Sequence, residues 1–65
     1  MFRVYSKEFP LSMFEAEEKD VYKLARHKIQ YADNYENGMV VFNCEVRKGS
    51  KKGTYILWVE YGCQV

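Results

Sequence analysis

The sequence predicts an α+β domain with elements in the order β-α-β-β: one helix on a three-stranded antiparallel sheet, strand order 1-3-2. Three observations lead there. Apolar residues recur at three- and four-residue intervals through one stretch, at Val21, Leu24, Ala25, Ile29 and Ala32, the stripe of an amphipathic helix. Residues 39–47 and 54–61 are rich in β-branched and aromatic side chains, and the polar segment Lys48-Gly49-Ser50-Lys51-Lys52-Gly53 between them reads as a hairpin loop. A third, alternating segment opens the chain. Sixty-five residues make a single domain, 1–65, and a chain this short buries a smaller share of its surface than a larger one. Six Tyr, four Phe and one Trp supply large side chains to fill a small core without a covalent staple.

Residues Phe2 to Phe9 alternate as a strand, with Phe2 and Val4 on one side and Arg3, Tyr5 and Lys7 on the other. Pro10 has no N–H for a ladder, so it ends that strand or marks an edge. Ser12-Met13-Phe14-Glu15 carries the capping-box spacing, which permits a helix from Met13. Glu17 and Glu18 would break an apolar stripe running back to Phe14, however, so the firm helix is expected from about Glu17 to Ala32. Glu17, Glu18 and Asp20 then fall in its first turn, where negative charge complements the helix dipole. Asp33-Asn34 supplies a stop and Asn37-Gly38 a turn.

Symmetric pairing about the hairpin loop places Val46 opposite Tyr55, Cys44 opposite Leu57, Phe42 opposite Val59 and Val40 opposite Tyr61. These eight residues then share the face that packs on the helix. The first two strands run parallel to each other because a helix returns the chain between them. The last strand runs antiparallel to both and belongs in the middle, since Ile56 and Trp58 make it apolar on its second face too.

One helix covers one face of a sheet. The other face is expected to carry Met39, Val41, Asn43, Glu45 and Arg47 with Thr54, Ile56, Trp58 and Glu60, joined by Tyr5 and Arg3 from the first strand. An aromatic centre with a charged edge is the anatomy of an interaction site. The candidate partner-binding residues are therefore Trp58, Ile56, Val41 and Tyr5 as anchors, with Arg47, Glu45 and Glu60 setting orientation. The edge strands offer a second mode, acceptance of another chain's strand.

The net charge is +1, from ten basic and nine acidic residues. That balance argues against a polyanion mimic and against binding by general phosphate attraction. A local basic surface remains as the alternative: Arg47, Lys48, Lys51 and Lys52 at the hairpin, extended by Lys23 and Arg26 on the outer helix. Such a surface would follow a phosphate backbone, although charged hairpin tips are also ordinary solvated turns. Self-association into a structural homodimer is the second alternative.

No constellation for catalysis is visible, and no enzyme activity, metal or other cofactor is expected. His27 is the only histidine and falls on the polar side of the helix beside Arg26 and Lys28. Cys44 and Cys63 fall on the helix-facing side of the sheet, about 20 Å apart in the symmetric register, which excludes a bridge between them. No secretory signal or membrane-spanning run is present, so the two thiols are expected to be reduced in a cytoplasmic protein. In size, charge balance, aromatic richness and β-α-β-β order, the chain resembles the small phage-encoded proteins that block host machinery, including some anti-CRISPR proteins. The resemblance is one of overall build and transfers no functional residue. It implies a cytoplasmic inhibitor that acts by protein contact.

Overall fold

A computed structural model describes residues 2–32 and 38–64. Its elements are β1 (Phe2–Leu11), α1 (Met13–Ala16), α2 (Val21–Ala32), β2 (Val40–Lys48) and β3 (Tyr55–Gln64). The three strands form one sheet in the order β1-β3-β2, and β3 pairs antiparallel with both neighbours. The sequence of β3 explains its central place. Leu57, Val59, Tyr61 and Cys63 are buried on the helix side, while Ile56, Trp58 and Glu60 are half-buried on the other. A strand with partners on both edges and apolar groups on both faces loses least by sitting inside.

The core forms where α2 lowers Ala25 and Ile29 onto Leu57, Val59 and Tyr61, with Leu11 closing one end. Val21 and Leu24 pack at its margin, so the expected stripe is confirmed up to Ile29. Ala32, at the end of the helix, is exposed. The helical layer is divided: α2 packs chiefly on β2, and α1 touches β1 and β3.

That division corrects the expected single helix from Glu17. Two start signals each nucleate their own piece. Ser12 forms the complete capping box, its Oγ accepting from the Glu15 N–H at 3.2 Å while its own N–H donates to Glu15 Oε1 at 3.2 Å. Glu17 closes this turn. Asp20 starts α2, accepting the Lys23 N–H on Oδ1 at 2.9 Å. Glu17 and Glu18 therefore lie in the connection and not in a first helical turn; they offer no apolar face to bury. Lys28 of α2 reaches back to Glu15 at 2.5 Å and ties the two pieces together. The expected stop at Asp33-Asn34 and the Asn37 half of the expected turn lie outside the described residues; Gly38 has φ +103°.

The sheet register corrects the sequence reading in two places. The hairpin closes on Gly49 and Thr54, with Gly49 N–H donating to Thr54 O at 2.8 Å. Val46 consequently lies opposite Leu57 and Cys44 opposite Val59, a shift of two residues that leaves facing unchanged. A bulge between Val41 and Asn43 then inserts one residue, so that Val41 pairs with Tyr61 and Val40 with Gly62. One extra residue reverses every side chain beyond it. Met39 and Val41 therefore pack against the core, and Val40 and Phe42 turn outward.

On β1 the deciding residues are Phe9 and Leu11. They pair with Leu57 and Tyr55 and pack in or against the core, which fixes the alternation of the whole strand. Tyr5 and Arg3 share their phase and face the helix side, where Tyr5 stacks on Tyr61 with centroids 5.6 Å apart. Phe2 and Val4 point the other way. Pro10 sits in this edge strand as expected, opposite Ile56. Cys44 and Cys63 are free. With Cys44 opposite Val59, they are separated by four residue steps along the sheet, about 14 Å, still beyond bridging distance.

Candidate docking face

Four residues of β3 run along the face away from the helices, and each is flanked by one residue from either edge strand. The rows are Pro10–Ile56–Arg47, Glu8–Trp58–Glu45, Ser6–Glu60–Asn43 and Val4–Gly62–Val40. Directly opposed residues on neighbouring strands project to the same side, so the rows share one surface.

At the middle of this surface the Arg47 guanidinium lies over the Trp58 ring, 4.9 Å from its centroid, within cation–π distance. Arg47 Nε also donates to Glu45 Oε1. Trp58 thus has a carboxylate-bearing residue on each flanking strand and a guanidinium above it. Glu60 accepts from Asn43 Nδ2 at 3.0 Å, which holds its carboxylate over β2.

The far end is apolar. Gly62 has no side chain to occupy its outward position, and the rings of Phe2 and Phe42 close over it from opposite edges, 5.7 Å apart and inclined at 69°. A Cβ at Gly62 would lie 2.3 Å from Phe2 Cε1 and 2.7 Å from Phe42 Cε2, so the glycine makes the contact sterically feasible. With Val4 and Val40 alongside, four apolar residues here keep 41–58 % of their surface in contact with water.

The structure therefore brings Trp58, Ile56, Arg47, Glu45 and Glu60 together as the sequence predicts. It removes Val41 and Tyr5 from that set, because the bulge in β2 and the Phe9–Leu11 anchor in β1 turn both to the helix side. It adds Phe2, Val4, Val40 and Phe42. The available signal for these was Gly62, a glycine in the outward phase of an apolar central strand, which marks close approach from neighbours.

The basic alternative is divided between elements. Lys48, Lys51 and Lys52 are exposed at the hairpin and Lys23 and Arg26 are exposed on α2, but Arg47 belongs to the Trp58 cluster. His27 is exposed, tilted against Tyr31 at 4.6 Å, and borders a shallow recess with Glu18, Lys23 and Leu24. Burial, assisted by the negative charge of Asp20, raises the Cys44 thiol above its ordinary pKa and keeps it in the poorly nucleophilic protonated form. Among the described residues no group of three or more His, Cys, Asp or Glu is placed to hold a metal, and no helix is long and apolar enough to cross a membrane.

Compared with protein-family models, curated proteins and solved structures, the chain finds no match.

Proposed function

We propose that this α+β domain is a small protein-binding module that acts by steric contact through the open sheet face. The observation that carries the reading is the continuity of that face: the Phe2–Phe42 pair with Val4 and Val40 at one end, and Trp58 with Ile56 at the other, on three paired strands. Apolar side chains on a paired sheet, exposed at Phe2, Val4, Val40 and Phe42 and half-buried at Trp58 and Ile56, match the anchors that dominate protein interfaces, and their fixed backbone lowers the entropy lost on docking. Binding of this kind suits an inhibitor that occupies a partner's working surface, and the reduced thiols suit a cytoplasmic setting.

Affinity capture from nuclease-treated lysate tests the reading. Trp58→Ala and Phe42→Ala should each lower recovery of the partner at least tenfold while the circular dichroism spectrum stays native. Lys51→Glu with Lys52→Glu should leave recovery unchanged. Full retention by both face variants overturns the proposal, and loss on nuclease treatment or on lysine reversal moves the function to the basic hairpin.

A further inference from the structure

The charge of the open face differs in sign from that of the whole chain. Its rows carry Glu8, Glu45 and Glu60 against the single cation Arg47, a formal charge of −2. The chain as a whole carries +1, so everything outside this face sums to +3. Arg47 is already engaged with Glu45, and the partner of Glu60 is the neutral Asn43. The two negative charges in excess therefore reside at Glu8, within the Trp58 row, and at Glu60, in the row beside it.

Two consequences follow from this segregation. A second copy docking face to face would set −2 against −2 across a desolvated contact, which disfavours a symmetric dimer through this surface. A basic surface would be attracted and oriented by the same charges. Arg47 already covers the Trp58 ring and engages Glu45, so an incoming cation is directed to Glu8 and Glu60.

We propose that the open face takes a basic, aliphatic segment of a partner protein, with lysine or arginine side chains at Glu8 and Glu60 beside Trp58 and aliphatic side chains on the Phe2–Phe42 end. This rests on the reading of the face as a docking surface and adds the chemistry of what docks. Gly62 and Trp58 are four residues apart on β3, so the aliphatic and cationic groups of an extended segment should be separated by about 14 Å. Four residues of partner strand span that distance.

The test is selection from a randomised twelve-residue peptide display library against the wild-type chain, against Trp58→Ala/Phe42→Ala, and against Glu8→Gln/Glu45→Gln/Glu60→Gln. These glutamates are solvent-facing or only half-buried, so the second variant keeps the fold. Wild type should enrich sequences with a net positive charge of two or more and an aliphatic residue four positions from a cation. The glutamine variant should lose the preference for basic residues, and affinity of the wild-type winners should fall roughly tenfold between low and physiological salt. Enrichment of neutral or acidic peptides that still require Trp58 and Phe42 overturns this inference and leaves the docking face standing. Enrichment indifferent to Trp58 and Phe42 overturns both. Absence of any enrichment, or a concentration-dependent dimer in sedimentation that Phe42→Ala dissociates, also overturns the basic partner.

Discussion

Phe2 and Phe42 come from opposite edges of the sheet and meet edge-to-face over Gly62 of the central strand, which has no contact atom of its own to offer there. The pair joins β1 to β2 across the central strand that lies between them.

A double-mutant cycle on Phe2→Ala and Phe42→Ala should therefore return a coupling of about 0.5–1.5 kcal/mol in urea unfolding, the range for aromatic pairs. Gly62→Ala should displace one ring and destabilise the domain by about 1–3 kcal/mol through overpacking. Repeated on the Gly62→Ala background, the cycle should give a coupling close to zero.

Burial separates structural aromatic and aliphatic positions from dispensable ones. Leu57 is wholly buried at the centre of the sheet, and Leu57→Ala should destabilise by about 2–5 kcal/mol, enough to unfold much of a domain this small. Phe14 projects from α1 with 88 % of its surface exposed, and Phe14→Ala should change stability by less than about 0.5 kcal/mol. Equal effects in thermal unfolding would contradict the packing described.

The capping turn predicts a response to acid. The Lys28 ammonium, and next the Ser12 N–H, hold the Glu15 carboxyl below its ordinary pKa. A carboxylate with a lowered folded-state pKa contributes stability above its unfolded-state value and loses it as pH falls through the folded-state value. Stability should thus decline on acidification through and below the normal carboxylate range, and Glu15→Gln should flatten that decline when urea midpoints are compared across pH. Ser12→Ala removes the other half of the box and should destabilise by about 1 kcal/mol at neutral pH.

The hairpin tip separates backbone strain from packing. Gly53 has φ +80°, and a Cβ there would meet nothing within 4 Å. Gly53→Ala should destabilise by about 1 kcal/mol from conformation alone, and Gly53→Asn by less, since asparagine tolerates the left-handed region. Chemical denaturation of the three proteins orders them.

Strand order and helix stripe were legible because each rests on a periodicity that few alternatives satisfy. Tyr55 to Tyr61 alternates apolar groups on both faces, and Ala25 and Ile29 sit four apart on the helix. Facing was legible only where polar residues fix the phase. Asn43, Glu45 and Arg47 did so for the distal half of β2. The run Met39-Val40-Val41-Phe42 is apolar throughout, fits either phase, and concealed the bulge that sends Phe42 outward. On β1, Phe2 and Val4 look as suited to a core as Phe9 and Leu11, and only docking of Leu11 beside Tyr55 decides between the two sets. The open face was thus identified correctly at Trp58, Ile56, Arg47, Glu45 and Glu60, and misassigned at Arg3, Tyr5, Met39 and Val41, where those two phases fail.

The irregularity at Phe42 gives the chain an unusual freedom under natural variation. Deleting Phe42, the extra residue, would leave Val41 opposite Tyr61 and Val40 opposite Gly62, so the remaining side chains would keep their facing while the ring that covers Gly62 from β2 was lost. A lineage could in this way shed one aromatic contact from its binding surface without redesigning the interior, and relatives shorter by one residue in this segment should be met with altered tastes in partner.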